Sequence, residues 1–360
     1  MRSLAVILLL VVAPAAALAG SAGTWSRLPA ATVTADQLRT AVWTGKHVLV
    51  FGRHSITAKD ARGNPYIVKT VDVAAAFDPS SNAWRTLSPP EGVGYSPSYS
   101  AAWTGRQLLA WGPFDALSYD PATNTWRMLP RPPTNAGRLA VWTGKEFVGW
   151  GGGCCGDAFN DGAAFSPVKN KWRKLAPSPL AGSQSPQGAW TGRELVIFVG
   201  NVDPNGKTWP AGLARAAAYN PAKNSWRRIA PIPDARGGAS VIWDGREVLV
   251  VGGSTDGKTW LRSAFAYNPA TNRWRRLAPM PSARSGAAVV WTGARLLVWN
   301  GGSGREGSLS PRRNGFAYDP ATNRWATLPA APFAAQNAAA VWTGRSLFVW
   351  GGARAAAYTP

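Results

Sequence analysis

The sequence predicts an all-β protein, a seven-bladed β-propeller of four-stranded blades. Two observations carry this prediction. A Trp-Thr-Gly or Trp-Asp-Gly turn followed by an apolar run recurs seven times, with its Trp at residues 43, 103, 142, 190, 243, 291 and 342. A Trp-x-x-Leu type strand also recurs seven times, with its Trp at residues 25, 84, 126, 172, 226, 274 and 325. The turns lie 39 to 60 residues apart, close to the ~50 expected of propeller repeats.

Each repeat supplies four short β segments, and the fifth repeat shows all of them. GASVIW precedes the turn, REVLVV follows it, AFAY leads into Asn-Pro, and NRWRRL is the Trp-x-x-Leu strand. The second segment is apolar without alternation, which is typical of a strand buried on both faces. In the fourth segment Trp and Leu are three residues apart, so they point to opposite faces of the sheet. Each blade can therefore pack against both of its neighbours.

The two ends of the chain are expected to complete one blade. The seventh repeat stops at Ala-Tyr-Thr-Pro without a fourth strand, whereas TWSRLP at residues 24–29 has no blade before it. Pairing these segments satisfies two open strand edges and closes the ring. We therefore expect residues 20–360 to form a single propeller domain, with blades at about 37–90, 98–132, 137–178, 185–232, 238–280, 286–330 and 336–360, the last completed by 24–30.

These motifs resemble the kelch repeat. A glycine pair ends the second strand in four blades, at residues 151–152, 252–253, 301–302 and 351–352, and a Tyr-Asp-Pro type turn follows it. The other three blades keep a single glycine there, Gly52, Gly112 and Gly200. The resemblance covers essentially the whole chain after residue 19 and implies a kelch β-propeller, whereas the count of seven blades comes from the residues themselves.

Residues 1–19 have the pattern of a secretory signal peptide. Arg2 precedes a ten-residue apolar run and the small-residue cleavage pattern Ala-Leu-Ala at residues 17–19. Ten apolar residues are too few to span a bilayer, which takes roughly 20, and no later run of that kind occurs. We expect an exported protein, secreted or periplasmic, without a membrane span. Its oxidising compartment would permit a disulfide.

The connections between strands fall on two faces of the ring, because the strands alternate in direction. The hairpin face carries the Trp-Thr-Gly turns and the Tyr-Asp-Pro type turns, which are short and uniform. The loop face carries the connections that follow the second strands and those that join blades. These vary widely, up to a long loop expected at residues 53–71. Since variable loops on a rigid scaffold usually carry function, we expect the functional site on the loop face.

The two cysteines of the chain, Cys154 and Cys155, are adjacent on the loop face, within GGGCCGDAFNDG at residues 151–162. We expect a disulfide between them, strained because neighbouring Cα atoms lie only ~3.8 Å apart. Such a bridge closes almost no loop and adds little stability. A rigid apolar contact for a ligand, or a redox switch, explains it better. The alternative is a pair of buried thiols.

Two tryptophans, Trp209 and Trp260, lie outside the repeat pattern. They end the related phrases NGKTW and DGKTW in the loop-face connections of blades 4 and 5. Indole rings in loops stack on sugars or accept a cation, so we consider both residues as ligand contacts. The alternative is that each covers an extension of its hairpin.

A group of polar residues lies in or just before the innermost strands, near the mouth of the central channel on the loop face. Its members are Arg39, Arg138, Arg236, Arg284, Gln187 and Gln336. Converging guanidinium groups suit a carboxylate or a sulfate. The alternative is solvated loop charge.

The chain carries a net charge of +21, but the placement of the charge argues against nucleic acid as a partner. Nine Lys or Arg lie in the Trp-x-x-Leu strands, where we expect them at blade edges, discouraging aggregation between sheets. Seven more occupy the hairpin turns. An exported protein also seldom meets nucleic acid. The remaining excess favours attraction to an acidic polysaccharide or an anionic envelope surface.

The sequence contains no motif of an established catalytic site. Some secreted kelch propellers are copper oxidases that use a Tyr-Cys crosslink and two histidines. Here His47 follows a hairpin-face turn and His54 lies on the loop face, so they do not share a metal, and each cysteine has a cysteine neighbour. We therefore argue against copper radical chemistry and expect neither metal nor cofactor.

Together these observations predict an exported, monomeric ligand-binding module. We expect a carbohydrate ligand, including acidic glycans, on the loop face. One alternative is a sugar-modifying enzyme of mutarotase, lyase or hydrolase type that uses loop-face Asp, Glu and Arg. The other is a scaffold for protein–protein interaction.

Overall fold

The computed structural model describes residues 23–89, 100–112, 115–153, 156–200, 215–234, 236–255, 259–303, 310–335 and 338–360. Within these residues the chain forms seven four-stranded antiparallel sheets and one small two-stranded ribbon. Each four-stranded sheet is one blade. The predicted all-β, seven-bladed propeller is confirmed.

The first three blades follow an initial strand, β1 (Thr24–Arg27). Blade 1 contains β2 (Gln37–Trp43), β3 (Val48–Lys59), β4 (Pro65–Asp78) and β5 (Ala83–Leu87). Blade 2 contains β6 (Ser100–Trp103), β7 (Leu108–Trp111), β8 (Ala116–Asp120) and β9 (Thr125–Met128). Blade 3 contains β10 (Leu139–Trp142), β11 (Phe147–Gly152), β12 (Phe159–Ser166) and β13 (Lys171–Lys174).

The remaining four blades repeat this order. Blade 4 contains β14 (Gln187–Trp190), β15 (Leu195–Phe198), β16 (Ala216–Asn220) and β17 (Ser225–Arg228). Blade 5 contains β18 (Ser240–Trp243), β19 (Val248–Val251), β20 (Ala264–Asn268) and β21 (Arg273–Arg276). Blade 6 contains β22 (Ala288–Trp291), β23 (Leu296–Trp299), the ribbon strands β24 (Gly302–Ser303) and β25 (Ser310–Pro311), β26 (Gly315–Asp319) and β27 (Arg324–Leu328). Blade 7 contains β28 (Ala339–Trp342), β29 (Leu347–Trp350) and β30 (Ala355–Thr359).

Blade 7 is completed by the start of the described chain. β1 pairs antiparallel with β30, with Trp25 opposite Tyr358, which gives the sheet order β1-β30-β29-β28. The first strand of each blade contacts the first strand of the next, from β2 and β6 round to β28 and back to β2. These strands therefore line the centre of the ring, and the predicted closure is confirmed.

The core lies between the blades. Second strands such as β15 and β19 are buried along their whole length, as their unbroken apolar sequence predicts. In blade 4, Trp226 packs into the cluster shared with blade 3, whereas Ile229, three residues later, lies in the cluster shared with blade 5. The two apolar residues of the fourth strand therefore contact opposite neighbours, as a period of two residues requires.

A hydrogen bond from the fourth-strand tryptophan joins every pair of neighbouring blades. The indole Nε1 donates to a backbone carbonyl just beyond the fourth strand of the preceding blade. The acceptors of Trp25, Trp84, Trp126, Trp172, Trp226, Trp274 and Trp325 are Pro329, Pro29, Ser88, Pro130, Ala176, Ala230 and Ala278, at 2.7 to 3.0 Å. An indole is the aromatic ring that combines a large apolar surface with this donor. The Trp of this strand thus packs in the core and also hydrogen-bonds to the preceding blade.

A left-handed asparagine reinforces three of these junctions. Asn272 has a φ of +54°, a region that Asn tolerates better than most residues. Its amide oxygen accepts from the Tyr267 hydroxyl of its own blade and from the backbone N–H of Ala230 in the preceding blade, both at 2.9 Å. Asn224 and Asn323 make the equivalent pairs of hydrogen bonds. The Tyr and the Asn of the repeat therefore form one unit.

The expected long loop at residues 53–71 is β-structure instead, which corrects the sequence analysis. β3 and β4 stay paired as far as Lys59 and Pro65. β2 pairs with β3 only as far as Arg53, and β5 pairs with β4 only from Ala74 onward. Residues 54–71 therefore extend from the loop face as a two-stranded ribbon, which we call the blade-1 arm.

Candidate functional site

The structure describes half of the predicted ligand-binding residues with their side chains. Cys154, Cys155, Trp209 and Gln336 lie outside the described residues, so the disulfide and the ligand contacts expected of them stay predictions. Arg39 lies in β2, within the ring of first strands. The other five are Arg138, Gln187, Arg236, Trp260 and Arg284.

Arg138 lies where the inner ring meets the loop face. It directly precedes β10, and its backbone N–H donates to the carbonyl of Gly151 at 3.0 Å. Its side chain is exposed to solvent, yet the protein around it desolvates the guanidinium and lowers its pKa. Because water screens charge less in such surroundings, an accessible cation there attracts an anion more strongly than one on an open surface.

Glycines bring the backbone close around Arg138. Gly152 has a φ of +133°, and a Cβ at this residue would lie 3.3 Å from the Cβ of Arg138. Gly137 has the same φ, and a Cβ there would lie 2.5 Å from the buried ring of Trp111 in blade 2. The glycine-rich sequence therefore lets this part of blade 3 pack against blade 2 and fixes the backbone that carries Arg138.

Arg236 is buried and is used inside its own blade. It is 4% exposed and lies 5.0 Å above the ring of Phe265. Its guanidinium donates to the carbonyls of Gly252 (2.9 Å) and Ser263 (3.1 Å) and to the carboxylate of Asp234 (3.1 Å). Burial lowers its pKa, against the attraction of Asp234. These bonds tie the blade-5 loop together, so we assign Arg236 a structural role.

Arg284 occupies the equivalent position of blade 6 with fewer partners. It is 2% exposed and lies 4.9 Å above the ring of Phe316. One guanidinium nitrogen donates to Asn314 at 2.7 Å, while the buried Nε has no hydrogen-bond partner. Burial, assisted by the charge of Arg312, lowers the pKa of Arg284 to about 10. This arginine packs beneath the loop face rather than extending from it.

Gln187 joins two blades. In the orientation that satisfies its hydrogen bonds, its side-chain oxygen accepts from the backbone N–H groups of Gly238 (2.6 Å) and Ala239 (3.0 Å). Gln187 begins β14. The two N–H groups that donate to it directly precede β18 of the next blade. The amide oxygen is therefore engaged in fixing adjacent inner strands.

Trp260 lies against the loop of its own blade. It is half-buried, forms an isolated β-bridge with Ser254, and has an indole N–H enclosed by protein. This placement favours the alternative in which the ring covers the hairpin extension, and it leaves only part of the indole for a ligand.

Several loop-face carboxylates hold the backbone or a neighbouring side chain. Asp72 pairs with the buried Arg53 at 2.9 Å. Asp36 accepts the backbone N–H of Ser55 at 3.1 Å, and Asp161 accepts the hydroxyl of Thr134 at 2.6 Å. These acids are committed to structural hydrogen bonds, which weakens the case for them as a general acid and base.

No metal site emerges from the part of the chain that the structure describes. No three His, Cys, Asp or Glu side chains there come together as a metal ion requires. His47 lies 3.7 Å from Asp78 on the hairpin face, while His54 lies seven residues further along, about 23 Å away in extended strand geometry. The described residues also include no helix long and apolar enough to cross a membrane.

The hairpin face carries a repeated ion pair that the sequence analysis missed. In blade 4, Arg227 pairs with Glu194 at 2.7 Å and also donates to the carbonyl of Pro269 in blade 5. The same pairing joins Arg173 to Glu146 and Arg275 to Glu247, both at 2.6 Å. Hydrogen bonding to the glutamate raises the pKa of each arginine. These arginines link blades, whereas we had expected them to protect blade edges.

Two grooves of the hairpin face follow these ion pairs. One, of about 580 Å³, is lined by Glu194, Arg227 and Trp243 between blades 4 and 5. The other, of about 800 Å³, is lined by residues of blades 3 and 4. Their walls consist of hairpin-turn and strand residues of the repeat. We therefore assign the grooves to the architecture and keep the candidate site on the loop face, around Arg138.

Comparison with known proteins supports the architecture. No curated protein matches the chain at a significant level. Among solved structures, it is similar to "Novel fungal alcohol oxidase with catalytic diversity among the AA5 family, in complex with copper", with a TM-score of 0.72 and 13% identity. The alignment covers 94% of this chain and 76% of the oxidase. At this identity the likeness shows the fold alone.

The sequence itself matches a family. Residues 187–359, which contain blades 4 to 7 without β1, match the KLHDC2/KLHL20/DRC7 Kelch-repeats domain. The match covers three of the four glycine pairs and three of the four Tyr-Asn-Pro or Tyr-Asp-Pro turns. With its seven four-stranded blades, the chain is a kelch-repeat β-propeller, a fold that indicates a binding or interaction module.

Proposed function

We propose that the protein is an exported binding module whose loop face holds an anionic ligand, an acidic glycan, at the mouth of the central channel. One observation carries the proposal: Arg138 combines an exposed side chain with partly desolvated surroundings at the start of an inner strand. Arg236 and Gln187 are committed to backbone partners, so they shape the mouth rather than bind the ligand.

Charge and geometry support an anionic ligand. A guanidinium matches the two oxygens of a carboxylate or sulfate with two parallel hydrogen bonds. The net charge of +21 adds a long-range attraction that raises the rate of encounter. Arg39 precedes Trp43 by four residues, as Arg138 precedes Trp142, so it holds the same repeat position and is assigned the same role.

The experiment compares two arginines that contribute the same charge from opposite faces. Arg138→Ala removes the proposed contact, whereas Arg106→Ala removes an exposed arginine from a hairpin-face turn. Binding to alginate, a polyuronate, is measured by calorimetry at fixed salt, with neutral dextran as the control polymer. We expect alginate to bind and dextran not to bind, with at least a tenfold loss of affinity in Arg138→Ala and less than a twofold loss in Arg106→Ala.

Three outcomes contradict the proposal. Equal losses in both variants would assign binding to the overall positive field. Absence of binding to both alginate and a sulfated dextran would contradict the proposal that the ligand is anionic. Turnover of the polymer, lost on substitution of a loop-face acid, would establish the sugar-modifying enzyme instead.

A further inference from the structure

The blade-1 arm, residues 54–71, has no counterpart among the described second and third strands of the other blades. β3 and β4 are 12 and 14 residues long, whereas β15 and β16 of blade 4 have 4 and 5. Beyond Arg53 and Asp72, none of the described strands pairs with either side of the ribbon. Beyond Ser55, whose N–H is bonded to Asp36, the edges of the ribbon therefore offer backbone groups for pairing with another chain.

The arm also carries four of the six large hydrophobic side chains that are exposed within the described residues. Ile56, Tyr66, Ile67 and Val68 are 44 to 58% exposed, and the other large hydrophobics exposed to this degree within the described residues are Met128 and Val168. From the strand pairing, Ile56 and Tyr66 share one face of the ribbon and Ile67 lies on the other. Clustered exposed apolar residues mark interaction sites in soluble proteins.

The arm is anchored and shaped rather than loose. At its base, the buried Arg53 pairs with Asp72, and the carboxylate of Asp36 accepts the N–H of Ser55. At its tip, Asp60 accepts the backbone N–H groups of Arg62 (2.8 Å) and Asn64 (2.9 Å). These bonds lower the pKa of Asp60, with the Asn64 bond as the largest cause. A preformed ribbon loses less entropy on binding than a flexible loop.

Charge identifies the chemistry of the partner. The arm carries Lys59, Arg62 and Lys69 against the single acid Asp60, whose carboxylate is committed to the turn. A second copy of the chain would bring the same positive charge, so self-association is disfavoured. A partner with acidic side chains is attracted instead.

A protein segment fits the arm better than a membrane surface does. The tip consists of the polar turn at residues 60–64, and the apolar side chains lie behind it. Inserting such a tip into lipid would bury polar groups, and lipid offers no partner for the open strand edges. An extended peptide pairs with those edges and places its alternate side chains on both faces of the ribbon.

From these observations we propose that the blade-1 arm docks a partner protein by strand addition. The occupant is an extended segment that alternates apolar β-branched residues with acidic ones. The site is separate from the anionic-ligand site proposed at Arg138, so either proposal can fail without the other.

The test selects peptides from a displayed library of random 12-residue sequences, using the whole protein. The arm variant Tyr66→Ser with Ile67→Ser is compared with the control Met128→Ser with Val168→Ser, which also replaces two exposed apolar residues. We expect the selected peptides to be acidic and β-branched, to lose at least tenfold in affinity for the arm variant, and to bind the control as they bind the unaltered protein. The bound peptide should slow hydrogen exchange of backbone amides in residues 54–71. Arg138→Ala should leave this binding unchanged.

The proposal is overturned if no selected peptide depends on the arm, or if the arm-dependent peptides are basic. It is also overturned if the arm amides exchange at the same rate with and without peptide. Vesicles containing phosphatidylglycerol provide the last comparison: binding to them that requires Tyr66 and Ile67, without arm-dependent peptide binding, would assign the arm to a membrane.

Discussion

The two faces of the ring hold their arginines in opposite ways. On the hairpin face, Arg173, Arg227 and Arg275 each bond to a glutamate, and this raises their pKa. On the loop face, desolvation lowers the pKa of Arg236 and Arg284, whose partners are mainly backbone carbonyls, an asparagine and aromatic rings. The repeat pairs its own arginines with glutamates where every turn is alike, whereas on the variable face Arg236 adds one carboxylate, that of Asp234, to its backbone partners and Arg284 bonds to an uncharged asparagine.

The largest expected effect separates Arg236 from Arg284, two buried arginines of the loop face. Arg236→Met should cost about 3 kcal/mol of unfolding free energy, because it removes the side-chain donor to the carbonyl of Gly252, one of the two donors to the carbonyl of Ser263, and the charge that pairs with Asp234. Arg284→Met should change stability by less than about 1 kcal/mol or increase it, because it replaces a desolvated charge with an apolar chain over Phe316. Urea unfolding of both variants measures the difference. Equal losses would show that both arginines contribute alike.

A smaller loss is expected at the hairpin-face junction of blades 4 and 5. Asn272→Ala should cost about 2 kcal/mol, since it removes the acceptor for Tyr267 and for the Ala230 N–H and places alanine, which tolerates the left-handed region less well than asparagine, at positive φ. Asn272→Gly removes the same acceptor, but glycine adopts a positive φ without strain. This variant should therefore cost about 1 kcal/mol. Thermal and urea unfolding report both. A glycine variant as unstable as the alanine variant would contradict a backbone contribution.

The ion pairs of the hairpin face should contribute still less to the free energy of unfolding. Glu194→Gln keeps the shape of the side chain but removes the charge that faces Arg227. Because this arginine is more than one-third exposed, solvent screens the pair, and we expect a loss of about 1 kcal/mol at low salt. The loss should shrink in 1 M NaCl as screening increases. A loss independent of salt would assign it to packing instead.

The smallest effect concerns Asp78, a partly exposed carboxylate of a hairpin-face turn. Hydrogen bonds from Ser80 lower its pKa to about 2. Since the folded pKa lies below the unfolded one, the stabilisation is present above about pH 4 and disappears as the pH falls towards 2. Ser80→Ala should raise the pKa of Asp78 towards its usual value, as measured by NMR titration of the side-chain carboxyl. An unchanged pKa would contradict the assigned cause.

The fold was predictable because the repeat encodes it locally. Trp226 and Ile229 already indicate a strand with two buried faces, and the unpaired segment around Trp25 indicates the closure. The Glu–Arg pairs were predictable too: Glu146, Glu194 and Glu247 occupy one repeat position, and an arginine follows the fourth-strand tryptophan in the same repeats. The recurrence of both residues at fixed repeat positions indicates that they pair.

The candidate site was less predictable, because side-chain direction depends on position relative to the strand. Arg138 precedes its turn Trp by four residues and is exposed, whereas Arg236 and Arg284 precede theirs by seven and pack against phenylalanines. Sequence reasoning placed all three at one channel mouth. The blade-1 arm was missed because Pro65 and the Asp-Ala-Arg-Gly-Asn turn resemble loop composition, although long-range pairing keeps the flanking residues extended.

The pairing of β1 with β30 makes the order of synthesis matter. Trp25 and its acceptor Pro329 are 304 residues apart, so β1 must remain without this partner while the residues between them are added. At roughly 5–20 residues per second, this interval lasts about 15–60 s. During that time the first blade faces an incomplete neighbour, and an open edge is exposed to other chains. A carrier that shields the segment around Trp25 until β30 has been made would therefore raise the yield of closed rings more than one that shields any later strand.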